Sequence, residues 1–202
     1  MKRRDIILIV LATMLCCSTS RASITSASWW DDGDGAIVCS NTAWNPGTAV
    51  LSMSGDQYWA PGHMLGTVKT DTEQDPTLTL ATGINNDSSF AWTAFTVNVY
   101  MNNTFTLANA AVTAPGDWTV VSVSPVIYTG SNYVGTILFD TGAPIPNDNV
   151  SELDFSYQLH FSGNTSYTFT QEMTPVPEPG TVALVAVGGL LLAQFTLRRG
   201  RR

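Results

Sequence analysis

Closely spaced carboxylates with glycines between them can wrap a hard cation, and the chain offers such a set at Asp31-Asp32-Gly33-Asp34-Gly35. Asp31, Asp32 and Asp34 are therefore the candidate metal ligands, with calcium the ion that an oxygen-only set suits. The run departs from an EF-hand loop, which would need an oxygen ligand at the position of Ala36, a glycine at that of Ile37 and a distant glutamate. A solvated turn ahead of the first strand is the competing reading. Catalytic sets are harder to assemble. Of two histidines, His160 falls on the polar side of an alternating segment and is expected to face solvent. His63 follows Pro61-Gly62 at a loop edge, and no serine in a nucleophile-elbow context stands ready to pair with it. No spacing marks two of the acids as a general acid and its partner, so the sequence points away from an enzyme.

Tryptophan is the other residue type with chemistry to offer, because its faces stack on sugar rings. There are six: Trp29, Trp30, Trp44, Trp59, Trp92 and Trp118. Trp92 and Trp118 lie in strand-like segments and should be buried. Trp59, between Gly55-Asp56 and Pro61-Gly62, should be exposed and is the candidate ligand contact. Trp29-Trp30 could pin the start of the body to its core or present a patch.

The elements that deliver these residues are bounded by two terminal segments. At the C-terminal end, Val176-Pro177-Glu178-Pro179-Gly180-Thr181 precedes an apolar run from Val182 to Leu197, and Arg198, Arg199, Arg201 and Arg202 follow. Pro177 and Pro179 lack amide donors, so a hinge through which neither helix nor sheet runs is expected there. As a helix the apolar run would span about 24 Å, somewhat short for a bilayer crossing. Arginines directly after it would stay on the cytoplasmic side, leaving the body outside. A V-P-E-P core, a short transmembrane run and an arginine cluster, in that order, resemble the PEP-CTERM sorting signal of exported bacterial proteins. Gly180 stands where Ser or Ala is more usual. The resemblance implies processing by an exosortase, a membrane protease-transpeptidase, in bacteria that make exopolysaccharide.

At the other end, Lys2, Arg3 and Arg4 precede the apolar run Ile6 to Cys17, the dimensions of a signal-peptide core, and Ser20-Arg21-Ala22 offers small residues for cleavage near Ser23. Residues 1–22 are thus expected to be a signal peptide, 23–173 a β-sandwich, 174–181 a Pro-rich linker with the sorting motif, 182–197 a transmembrane helix and 198–202 a basic cytoplasmic tail. Setting the two ends aside changes the charge. From Ser23 to Pro177 the body keeps one basic residue, Lys69, against 14 acids, a net charge of −13. Nucleic acid and anionic membrane surfaces are excluded as partners of such a body. Cys39 alone survives cleavage, so no intrachain disulfide holds the fold.

The body reads as strands throughout. Leu153, Phe155, Tyr157, Leu159 and Phe161 alternate with polar residues, the pattern of a half-buried antiparallel strand, and a turn at Gly163-Asn164 leads to Tyr167 and Phe169, suggesting a hairpin. Strands are also expected over 36–40, 48–54, 63–69, 77–82, 90–101, 118–128 and 133–140. Apolar parity shifts near Thr93, which a bulge would explain, and again between Val120 and Val121, which suggests a second bend. About nine strands without crossover helices indicate an all-β fold, a single antiparallel two-sheet sandwich, immunoglobulin-like or jelly-roll. The functional expectation is an exported, non-enzymatic protein, anchored at least transiently in the membrane and then placed at the cell surface or in the exopolysaccharide matrix, with a structural or adhesive role. The alternative is a carbohydrate-binding module that recognises extracellular polysaccharide.

Overall fold

The computed structural model describes residues 22–178. The expected signal peptide, transmembrane helix and basic tail lie outside them. Every regular element within these residues is a strand: β1 (Ile24–Asp31), β2 (Ile37–Asn45), β3 (Val50–Gln57), β4 (Gly62–Thr70), β5 (Thr77–Asn86) and β6 (Trp92–Met101). The chain continues through β7 (Phe105–Ala114), β8 (Thr119–Val123), β9 (Ile127–Tyr128), β10 (Tyr133–Asp140), β11 (Glu152–Phe161) and β12 (Ser166–Pro177). Two of these twelve, β1 and β7, are absent from the sequence-based expectation, and the single strand expected over 118–128 is two, β8 and β9, separated around Pro125.

A seven-stranded sheet runs β1-β4-β12-β6-β10-β8, with β9 also against β10, and a five-stranded sheet runs β2-β3-β5-β11-β7. Their inner faces enclose one core. Phe155 of β11 sits 6.0 Å from Phe95 and 4.9 Å from Phe139, ring centre to ring centre, and Trp92 lies 5.1 Å from Phe95. Trp92 and Trp118 are buried as expected. In β11, Leu153, Phe155, Tyr157, Leu159 and Phe161 all point inward, which is the parity their alternation predicts.

The bulge expected near Thr93 is present, and the bend expected at Val120 and Val121 is a bulge as well. Successive residues Val176 and Pro177 of β12 pair with Ala94 and Trp92, leaving Thr93 as the extra residue of β6. Phe139 and Leu138 of β10 pair with Val120 and Ser122, which leaves Val121 extra in β8.

Three expectations are corrected. The β11–β12 hairpin does not form: β11 pairs with β5 on one side and β7 on the other, so its sheet has no vacancy, and Ser162–Thr165 carries the chain across to the opposite sheet. Phe161 and Tyr167 meet at 4.4 Å on either side of this crossing. Nor is the sandwich wholly antiparallel, because β3 and β5 pair in parallel. The intervening β4 travels back on the other sheet, so the chain re-enters the five-stranded sheet heading as it left.

The third correction concerns the linker expected from Thr174, since β12 continues through Pro177. Beyond Met173, which faces Gly62 at the end of β4, the strand has a neighbour on one side only, β6. Pro175 and Pro177 share a parity, so both missing donors fall on the same side of the strand, and a strand with one open side tolerates this.

Candidate functional site

Two regions carry the residues singled out by their chemistry. The first is built where β1, β4, β12, β6 and β10 lie side by side. His63 pairs with Glu172, Glu172 with Asn98 and Asn98 with Thr136, so one residue from each of four neighbouring strands falls in a straight row on the outer face. The row is hydrogen-bonded along its length. Thr136 donates through Oγ1 to Asn98 Oδ1 at 2.7 Å, and Asn98 Nδ2 donates to Glu172 Oε1 at 2.7 Å. His63 is bracketed by carboxylates, with Nε2 3.5 Å from Glu172 and Nδ1 3.3 Å from Asp32.

Asp32, Asp34 and His63 bring one ligand atom each within 4.8 Å of one another. The predicted trio is thus only partly assembled, for Asp31 turns toward the other sheet, where its carboxylate accepts the amides of Gly33 and Cys39. Strand alternation explains the split: Asp31 is the last residue of β1, one position after the outward Trp30. In its place stands a histidine from β4. Two carboxylates and an imidazole form a donor set for borderline transition ions more than for calcium. Each aspartate also has a structural task, since Asp34 Oδ1 accepts the Ala36 amide at 2.7 Å and Asp32 Oδ1 that of Asp34 at 3.1 Å.

One step along the same face runs a second row, Trp30, Leu65, Thr170 and Tyr100, again one residue per strand. Trp30 is 44 % exposed, while its neighbour Trp29 is buried, its ring 6.0 Å from Phe169. The pair therefore does both things its position allowed: one indole anchors β1 and the other is displayed. Tyr100 donates to Glu172 Oε1 at 3.4 Å, and partial burial, then the adjacent carboxylate, holds its phenol above the ordinary 10.0. Thr67, Thr168, Asn102 and Asn132 border the row, and together these groups outline a shallow groove of about 250 Å³.

Trp59, the predicted ligand contact, is exposed as expected, at 50 %, but stands apart from this groove. It rests on Gly35, where an added Cβ would come within 3.2 Å of the indole and where φ is +86°. Glycine serves the acidic turn twice there, by its left-handed backbone and by the room it leaves. On the opposite sheet, Glu152 and Asp154 stand together over Gly83. Partial burial, then the charge of Asp154 and a hydrogen bond to it, raises the Glu152 carboxyl above its ordinary 4.5. His160 is half-buried on the outer face of β11, its Nδ1 3.0 Å from Thr77 Oγ1.

The second region is the C-terminal end of β12. Thr93 Oγ1 donates to the carbonyls of Val176 and Pro177 at 3.3 and 3.4 Å, and the buried Gln57 donates through Nε2 to the Met173 carbonyl at 3.0 Å. Val176 and Pro177 thus belong to β12 and Glu178 follows it, while Pro179 and the four terminal arginines lie outside the described residues. No helix among the described residues is long and apolar enough to cross a membrane. Comparison with curated proteins and with solved structures gives no match. Residues 175–202 match the family model of the PEP-CTERM protein-sorting motif, and the chain carries at its C-terminal end the signal that implies export, sorting to the cell envelope and processing by an exosortase.

Proposed function

We propose that the protein is a non-enzymatic structural or adhesive component of the cell surface or extracellular polymer matrix, held by its C-terminal segment in the membrane until an exosortase releases or transfers it. The observation that carries this reading is the continuity of the matched motif with β12: the signal begins at residue 175, inside a strand that lies between β4 and β6. Whatever is done to the signal is therefore done to the folded sandwich as a whole.

Within the two-sheet class, the jelly-roll alternative fits better than the immunoglobulin one. Pairs β4/β12, β5/β11 and β6/β10 nest inside one another, as they do when one long hairpin is folded over into two sheets.

The test is display of the full chain on exporting cells beside a variant in which Arg198, Arg199, Arg201 and Arg202 are all replaced by Asn. Loss of the positive-inside retention should mis-sort the variant, and mass spectrometry of the surface form should find the C-terminal residues gone. Recovery of an intact Arg202 terminus, with unchanged display of the variant, would leave an ordinary membrane anchor as the better reading.

A further inference from the structure

We propose that the groove between Trp30 and Tyr100 on the outer face of the seven-stranded sheet is a binding site for an uncharged polysaccharide. The proposal deepens the adhesive reading and rests on it only for where the ligand would be met.

Four observations carry it. The floor and ends of the groove are amphipathic in the way a sugar ring is. Trp30 and Tyr100 offer aromatic faces and Leu65 an aliphatic patch, which suit the apolar C–H face of a pyranose, while Thr67, Thr168, Thr170, Asn102 and Asn132 offer hydroxyls and carboxamides that both donate and accept. Next, the aromatics are spaced for a chain of sugars. Trp30 and Tyr100 are separated by three strand-to-strand steps, about 14 Å at the usual sheet spacing, so one ring alone cannot bridge them.

Part of the platform is also held in place before any ligand arrives. Trp29 locks β1 by packing on Phe169, and Tyr100 is tethered through its hydroxyl to Glu172, which Asn98 holds in turn. Tyr100 then has little side-chain freedom to give up on binding. Finally, the charge selects the class of polymer. The row beside the groove holds Asp32 and Glu172 around His63, and the body as a whole carries one lysine against 14 acids. Anionic polysaccharides and nucleic acids are repelled.

An extended peptide fits less well. Strand addition requires an open sheet edge, and this groove runs across the faces of β4, β12 and β6, which are paired on both sides, meeting an edge strand only at its β1 end.

The experiment is retention of the full chain, purified in mild detergent, on insoluble β-1,4-glucan, β-1,3-glucan, xylan and mannan, with alginate as the anionic comparator. At least one uncharged polymer should retain the wild type and alginate should not. Trp30→Ala and Tyr100→Ala should each weaken retention tenfold or more, Trp30→Phe should restore part of it, and Trp59→Ala should leave it unchanged. Trp30 is on the surface, so its replacements should keep the wild-type melting temperature, and that measurement accompanies each variant. Three outcomes overturn the proposal: retention that survives both alanine variants, preferential binding of alginate, or absence of retention on every polymer. If absence of retention comes with a self-association that Trp30→Ala abolishes, the face belongs to a second copy of the chain. None of these readouts depends on where the protein is sorted, so failure here leaves the C-terminal signal untouched, and failure of the sorting test leaves the groove untouched.

Discussion

Pro177 pairs with Trp92 across the β12–β6 ladder, one step past the bulge at Thr93, and the Thr93 hydroxyl donates to the Pro177 carbonyl at 3.4 Å. A proline from the sorting motif is thereby tied to a fully buried tryptophan of the core. The signal and the sandwich share a strand, and removing the one should be felt by the other.

Truncation tests this. A chain ending after Met173 loses the β6 pairing of Thr174 to Pro177 and should be less stable than one ending after Glu178 by about 0.5–3 kcal/mol. Urea unfolding of the two truncated chains measures it. Equal midpoints would mean that the last four strand residues contribute nothing to the fold.

The parity of β11 predicts a second contrast. Phe155 and Leu159 are 1 % and 0 % exposed, and replacing either with Ala should cost about 2–5 kcal/mol through lost burial and the cavity left behind. Ser156 and Gln158 point outward, and their replacement by Ala should stay within about 0.5 kcal/mol. Denaturant melts of the four variants compare the two faces directly. Similar losses on both would mean that something packs over the outer side of the five-stranded sheet.

Tyr157 links the sheets through a buried polar contact. Its hydroxyl donates to Gln171 Oε1, and Gln171 Nε2 lies 3.5 Å from Thr82 Oγ1. Tyr157→Phe should cost about 1–3 kcal/mol at neutral pH, because the Gln171 oxygen is left buried without a donor. Burial pushes the Tyr157 phenol well above its ordinary 10.0. The folded state therefore holds this proton more tightly than the unfolded chain. Its contribution is complete below pH 10 and is lost as pH rises beyond that. Melting temperatures taken from pH 7 to 11 should fall more steeply for the wild type than for Tyr157→Phe, and parallel curves would count against a buried neutral phenol.

Glu152 gives a pH effect in the acid range. Its folded carboxyl is raised above 4.5 by partial burial, then by Asp154, so the wild type loses stability as pH rises through that raised value. Glu152→Gln removes the unfavourable charge. It should melt higher than the wild type at pH 7 and lose that advantage near pH 3, where the Glu152 carboxyl is protonated. A lower melting temperature at pH 7 would mean that the Glu152 carboxylate has a favourable partner.

Local patterns in the amino-acid sequence determined which side of β11 is buried, where pairing is interrupted near Thr93 and Val121 and what signal ends the chain. Side-chain alternation and a contiguous motif are both properties of neighbouring residues, so no distant contact has to be known. β7 escaped that reading because Ala108, Ala110, Ala111 and Ala114 give alternation no amplitude, and β1 because Ser26 and Ser28 interrupt its apolar residues. Tertiary structure alone decided which strands share a sheet. A short turn after β11 reads the same whether the next strand pairs beside it or crosses the core, and the choice was made by β5 and β7, which already occupy both of its edges. The outer-face rows follow from that choice. Trp30, Leu65, Tyr100 and Thr170 are neighbours only because β1, β4, β12 and β6 lie in that order, and the same order sets His63 between Asp32 and Glu172. Strand order is a long-range outcome of packing two sheets around one core, and a period of two residues carries no information about it.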